Sequence, residues 1–125
     1  MNNYYRFMPL KELNKLTSGM TLSKSKKFKA RTTSTGYCFM STADYTPEEA
    51  IKFLSGIVSD DVVVLFESVQ QLKESCGMYA DPYGDWYDTM AVREYCTNSY
   101  SRDTMIPVKY GIIDKWGKID WYNWN

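Results

Sequence analysis

Gly36-Tyr37-Cys38-Phe39-Met40-Ser41-Thr42-Ala43-Asp44-Tyr45-Thr46-Pro47-Glu48-Glu49-Ala50 is the stretch whose reading decides the fold. Residues 37–42 are short, aromatic and apolar, which predicts a strand ending at Ser41-Thr42. Four residues later Thr46-Pro47-Glu48-Glu49 forms a capping box with proline at the first helical position. The Thr46 hydroxyl can accept from the Glu49 backbone N–H, and the Glu49 carboxylate can reach back to the Thr46 N–H. Ala50, Ile51, Leu54, Ile57 and Val58 then recur at helical spacing and predict one buried face. A strand therefore hands over directly to a capped amphipathic helix.

Reading toward the N-terminus, residues 22–36 are polar, with Lys24, Lys26, Lys27, Lys29 and Arg31 crowded around Phe28. They predict a mobile basic loop. Ahead of it, residues 4–8 read as a first strand. Pro9 suits a helix start, Leu10, Leu13 and Leu16 recur at helical spacing, and Gly19 suits its stop.

Toward the C-terminus, Asp60-Asp61 reads as a turn and residues 62–66 as a central buried strand, β-branched at its start. Residues 69–75 are expected to form a short helix ending near Gly77. Residues 78–89 read as an aromatic, acidic surface loop, and 90–95 as a strand. Residues 106–113 and 119–124 predict a terminal hairpin around Asp114-Lys115-Trp116-Gly117. The order implies one α+β domain over 1–125, with mixed, mainly antiparallel sheets and two short helices.

Composition narrows the chemistry. The 125 residues include no histidine. That removes Ser-His-Asp and Cys-His hydrolases, histidine-containing zinc motifs and imidazole bases. Carboxylates, hydroxyls, thiols, arginines and lysines remain. Fifteen basic residues balance fifteen acidic ones, so global charge gives no pull toward nucleic acid or an anionic membrane. The three cysteines, Cys38, Cys76 and Cys96, are too few and too scattered for a disulfide framework or a zinc ribbon. Asp81, Asp85 and Asp88 lack calcium-loop spacing, so no metal site is expected. The start carries no apolar signal core and no run spans a bilayer, so a cytoplasmic protein is expected.

Three separated residues form the strongest constellation: Arg6 in the first strand, Ser41-Thr42 at the end of the second, and Glu94 in Val92-Arg93-Glu94-Tyr95. In this order, and on these elements, the chain resembles the ADP-ribosyltransferase fold of the Arg–Ser–Glu type, as a small single-domain member of a bacterial or phage kind. The likeness runs from Tyr5-Arg6 to Glu94-Tyr95, and residues 36–50 carry most of it. It implies a split sandwich of two sheets and a glycosyl transfer, with ADP-ribose moving from NAD to a macromolecular acceptor, protein rather than nucleic acid. It implies that the Arg6 guanidinium holds a phosphate or ribose, that Ser41 orients Glu94, and that Glu94 stabilises positive charge as nicotinamide leaves. Thr42 would join the NAD-binding set, and Tyr37 or Tyr45 would stack on nicotinamide. Tyr79, Tyr83, Trp86 and Tyr87 would meet the acceptor. Val92 stands where arginine-directed members carry Glu or Gln, which points away from arginine as the acceptor. Ala43 stands where a third hydroxyl residue is often found.

Each residue also has a plain structural use. Arg6 can be ion-paired, Ser41-Thr42 can make a strand-end turn, and Glu94 can pair with Arg93 or a lysine. Two other functions stay open. One is a non-catalytic protein-binding module or inhibitor, of phage or mobile-element type, using the aromatic loop with Trp121, Tyr122 and Trp124. The other is a nucleic-acid binder acting through residues 24–31.

Overall fold

A computed structural model describes residues 2–23, 37–53, 61–69, 71–74 and 95–124. They form nine strands and two helices: β1 Asn2–Met8, α1 Leu10–Thr17, β2 Leu22–Ser23, β3 Tyr37–Ser41, α2 Pro47–Phe53, β4 Val62–Ser68, β5 Lys73–Glu74, β6 Tyr95–Thr97, β7 Ser99–Tyr100, β8 Met105–Ile113 and β9 Ile119–Asn123. Seven strands make one sheet in the order β5-β6-β3-β1-β4-β8-β9, and β2 pairs with β7 in a separate ribbon. Every strand pair is antiparallel. The architecture is thus α+β with a mostly antiparallel sheet and two helices, as the order of elements predicts.

Strand β1 lies at the centre and shows why the sheet is covered on both sides. Its side chains alternate between faces. Tyr4 and Met8 enter a cluster with Leu16, Leu22, Tyr37, Phe39, Val62, Val64, Phe66, Tyr100 and Met105. Tyr5 and Phe7 enter a second cluster with Met40, Ala50 and Val63 on the other face. The first face is closed by α1 and by the β2–β7 ribbon through Leu16, Leu22 and Tyr100. The second is closed by α2 through Ala50 and Ile51. Such two-sided burial explains why β4 reads as an unbroken apolar run.

The helix ends follow their local chemistry. Pro9 is the N-cap of α1, and Glu12 and Leu13 donate their backbone N–H groups to its carbonyl. Gly19, with φ +83°, turns the chain out of α1, and Met20 N–H closes back on the Lys15 carbonyl at 3.1 Å. Arg102 Nη1 also donates to the Thr17 carbonyl at 2.8 Å, a cation placed at the negative helix end. The capping box of α2 is formed in both directions. Thr46 N–H donates to Glu49 Oε1 at 3.0 Å, and Glu49 N–H donates to Thr46 Oγ1 at 3.2 Å.

The terminal hairpin forms as expected, with Met105 added to β8 and Trp124 left outside β9. Asp114 Oδ1 accepts from the N–H groups of Trp116 and Lys118, each at 2.9 Å, and Gly117 takes φ +82°. Pro107 in β8 has no N–H to give a ladder, and the β4–β8 register shifts beside it: Leu65 opposes Lys109 while Phe66 opposes Pro107, skipping Val108.

Two expectations are corrected. Residues 69–75, read as a helix, contain β5, where Lys73 and Glu74 pair with Cys96 and Tyr95 of β6. A helix so short cannot repay its nucleation, whereas a waiting strand supplies backbone partners at once. Leu22 and Ser23, assigned to the basic loop, instead form β2 and pair with Tyr100 and Ser99. Most of the strand expected over 90–95, the tail of the α2 stripe (Leu54, Ile57, Val58), the aromatic loop with Tyr79, Tyr83, Trp86 and Tyr87, and the basic residues 24–31 lie outside the described residues. Among the described residues no helix is long and apolar enough to cross a membrane.

Candidate functional site

Arg6 is the polar interruption in β1. Alternation puts it on the face of Tyr4 and Met8, beneath α1 and against the β2–β7 ribbon. Its Nε donates to Glu12 Oε2 at 2.7 Å and its Nη2 to Glu12 Oε1 at 3.0 Å, a bidentate pair of the strongest geometry available to these groups. The side chains are 16% and 11% exposed, so the pair is largely withdrawn from water. The guanidinium carbon lies 5.2 Å from the Tyr37 ring centre and 5.9 Å from that of Phe39, within cation–π range of both.

Tyr100 completes the cluster. Its hydroxyl donates to Glu12 Oε2 at 2.6 Å, so this oxygen accepts from Arg6 and from Tyr100 together. The Tyr100 ring meets Tyr37, Phe39 and Phe66 edge-on, at centroid separations of 5.2, 5.1 and 6.0 Å. Burial first, and the Glu12 carboxylate second, push the Tyr100 phenol far above its ordinary value. The same two causes raise the Tyr37 phenol, against a smaller lowering by Arg6. Both hydroxyls therefore stay protonated and act as donors, Tyr37 toward the Ser23 carbonyl at 3.5 Å.

The other residues singled out by sequence fall into three groups. Tyr37 and Ser41 alternate with Met40 along β3 and share the sheet face of Arg6, since Ser41 opposes Tyr4 across the β1–β3 ladder. Ser41 Oγ accepts from Ala43 N–H at 3.1 Å, and the Ser41 carbonyl accepts from the Asp44 N–H at 3.1 Å. Thr42 donates its N–H and hydroxyl to the Asn3 carbonyl at 3.2 and 3.4 Å. The Ser-Thr pair thus makes a strand-end turn pinned to β1. Tyr45 packs beside the second cluster, with Tyr5, Phe7 and Ala50, away from Tyr37. Glu94 lies outside the described residues. It directly precedes Tyr95, the first residue of β6, which opposes Phe39.

The strands that bear or adjoin the three motifs are consecutive in the sheet: β6, then β3, then β1. Tyr95 itself donates its hydroxyl to Asp44 Oδ2 at 3.4 Å and packs against Tyr4, with ring centres 5.4 Å apart.

Glu12 and Tyr100 were not among the residues expected at the site. A faint signal for Glu12 exists: it falls four residues before Leu16 and so shares the helix face that meets the sheet. A carboxylate on that face needs a partner. Tyr100, 88 residues further on, has no comparable local signal.

The cluster offers a guanidinium fork, two aromatic faces, one carboxylate and protonated phenols. That set suits an anion with an attached ring system, although two of the arginine donors are already engaged by Glu12. Among the described residues no group of three or more potential ligands could hold a metal ion. Compared with family models, with curated proteins and with solved structures, the chain matches none of them.

Proposed function

We propose that this chain is an ADP-ribosyltransferase-like protein that transfers ADP-ribose from NAD to a macromolecular acceptor, on a split-sandwich variant of the α+β fold. The observation that carries the reading is the adjacency of β6, β3 and β1, the strands that adjoin Glu94, end in Ser41-Thr42 and bear Arg6. Arg6 and Ser41, far apart in sequence, thereby lie on neighbouring strands, and Arg6, Tyr37 and Ser41 share one face.

In this reading Arg6 supplies planar, forked donors to a dinucleotide phosphate. The Tyr37 ring, already in contact with the guanidinium, gives an aromatic wall beside it. Ser41 lies on β3 between the Arg6 strand and the strand that follows Glu94, where its hydroxyl can orient a carboxylate. Glu94 holds a ribose hydroxyl and stabilises the positive charge that develops as nicotinamide leaves. The reading does not draw on Tyr45, which packs elsewhere.

The test is NAD turnover and NAD-dependent labelling of acceptor proteins by the full chain and its Glu94→Ala variant. Activity in the parent, lost in a folded Glu94→Ala variant, supports the proposal. No NAD binding, or labelling that survives the substitution, ends it.

A second reading, a protein-binding module without chemistry, is favoured by one observation. The outer hairpin displays Ile112, Trp116 and Tyr122 at 45%, 79% and 47% exposure. Tyr110 stacks on Tyr122 and meets Trp124 edge-on, giving an aromatic ledge. Aromatic side chains of this kind are frequent interface anchors. Loss of a defined protein partner on Tyr122→Ala, with Glu94→Ala silent, would favour this reading over catalysis.

A further inference from the structure

We propose that Glu12 is an internal anion that competes with the dinucleotide for Arg6, and so sets how tightly the site takes its phosphate. The inference rests on the ADP-ribosyltransferase reading above.

The two oxygens of Glu12 take Arg6 Nε and Nη2 side-on, at 2.7 and 3.0 Å. A phosphate approaching the same fork asks for the same paired donors. Arg6 is therefore not presented as a bare cation: within the pair its charge is already matched, and an incoming phosphate has to displace or share the carboxylate. Glu12 is also no casual surface partner. It is held from a second direction by the Tyr100 hydroxyl at 2.6 Å, and both members of the pair are largely buried. Tyr100 gives Glu12 a second donor, so the carboxylate keeps one donor when the guanidinium turns to a ligand. Binding would then loosen a strut between α1 and β1, coupling occupancy of the site to the seating of the helix.

The opposite role would be that Glu12 only positions the guanidinium. The two roles predict opposite signs. If Glu12 competes, its neutralisation strengthens binding of the anion. If it positions, the same change weakens binding.

The experiment measures ADP-ribose affinity by calorimetry on the full chain and on Glu12→Gln, at two ionic strengths. The expected result is about tenfold tighter binding by the variant, the scale of one charge contact in a partly desolvated site, with a steeper fall in salt. A folded Glu12→Gln protein that binds equally or more weakly, while the parent binds, overturns this inference and leaves the transferase reading standing. Binding by neither protein overturns both. A second measurement does not depend on the variant folding. In the parent chain the Arg6 Nε–H resonance, assigned by its absence in Arg6→Lys, should shift on saturation with ADP-ribose. An unmoved resonance means the Glu12 contact persists in the bound state and sinks the proposal.

Discussion

Glu12 of α1 and Arg6 of β1 are joined by two parallel hydrogen bonds at the centre of the sheet's first face. The pair clamps a helix of 8 residues that has no side-chain cap of its own. A helix this short is marginal alone, so its stability comes from tertiary contacts. Removing one partner strands a charge among Tyr37, Phe39 and Tyr100. Glu12→Leu or Arg6→Met alone should destabilise the protein by about 3 kcal/mol, as for other largely buried pairs. The double substitution Arg6→Met/Glu12→Leu should cost much less than the sum, because no uncompensated charge remains. Urea unfolding of the four proteins checks this. Additive losses would mean that the pair has no coupling.

Tyr100 and Tyr5 predict the behaviour in alkali. Both phenols are raised, first by burial, then by nearby carboxylates: Glu12 for Tyr100, and Asp44, Glu49 and Glu48 for Tyr5. A folded value above the unfolded one means that the stabilisation is complete below the ordinary tyrosine value of 10.0 and is lost as pH rises above it. Phenolate absorbance from these two residues should appear together with loss of tertiary structure, not before it. Tyr100→Phe should cost about 2 kcal/mol at neutral pH by removing a hydrogen bond to a carboxylate. It should also flatten the alkaline limb. An alkaline limb as steep as the parent's would show that Tyr100 does not drive it.

Gly111 predicts a reversal of an ordinary rule. In a strand, exchanging glycine for alanine usually helps. Here a Cβ on Gly111 would run into Ile119 Cγ2 and lie 3.1 Å from Trp121 Cε3. Ile119 is β-branched and stiff at χ1, and Trp121 is tied down by its Nε1–H donating to Glu48 Oε1 at 2.8 Å. Neither can yield cheaply. Gly111→Ala should therefore lower stability by about 2 kcal/mol, the usual scale of overpacking, and Gly111→Val by more. Thermal unfolding measures it, and a neutral Gly111→Ala would mean that β9 can slide away from β8.

What could be read from sequence was whatever is decided within a few residues. The Thr46–Glu49 capping box, the Gly19 stop and the Asp114–Gly117 turn each depend on neighbours in the chain, and each is formed. Long-range pairing was not legible. The β2–β7 ribbon has two residues per strand, too few for any periodicity, and exists because Leu22 and Tyr100 meet in the core. Val69 and Leu72 imitate a helical turn, yet β6 captures Lys73 and Glu74 as a strand. At the candidate site, Arg6 was recognisable as a charge inside an aromatic strand. Its partners were not, because Glu12 lies across an element boundary and Tyr100 arrives only through the ribbon.

The α2 capping box predicts an acid response localised to one helix. The backbone N–H of Thr46 donates to Glu49, and this bond is the first cause of a Glu49 carboxyl held below its ordinary value; the Thr46 side chain is the second. A depressed folded value means that the stabilisation is present above the ordinary glutamate range and is lost as pH falls through the folded value. Thr46→Ala removes the hydroxyl cap and should cost about 1 kcal/mol at neutral pH. The acid range tells the two partners apart. Glu49→Gln can still accept from the Thr46 N–H but cannot titrate, so its stability should fall less steeply on acidification than the parent's. Amide exchange in residues 48–53 should report the same trend, since these N–H groups belong to the helix whose first turn the box closes. Parallel acid profiles for the parent and Glu49→Gln would show that the carboxylate's charge adds nothing beyond the hydrogen bond.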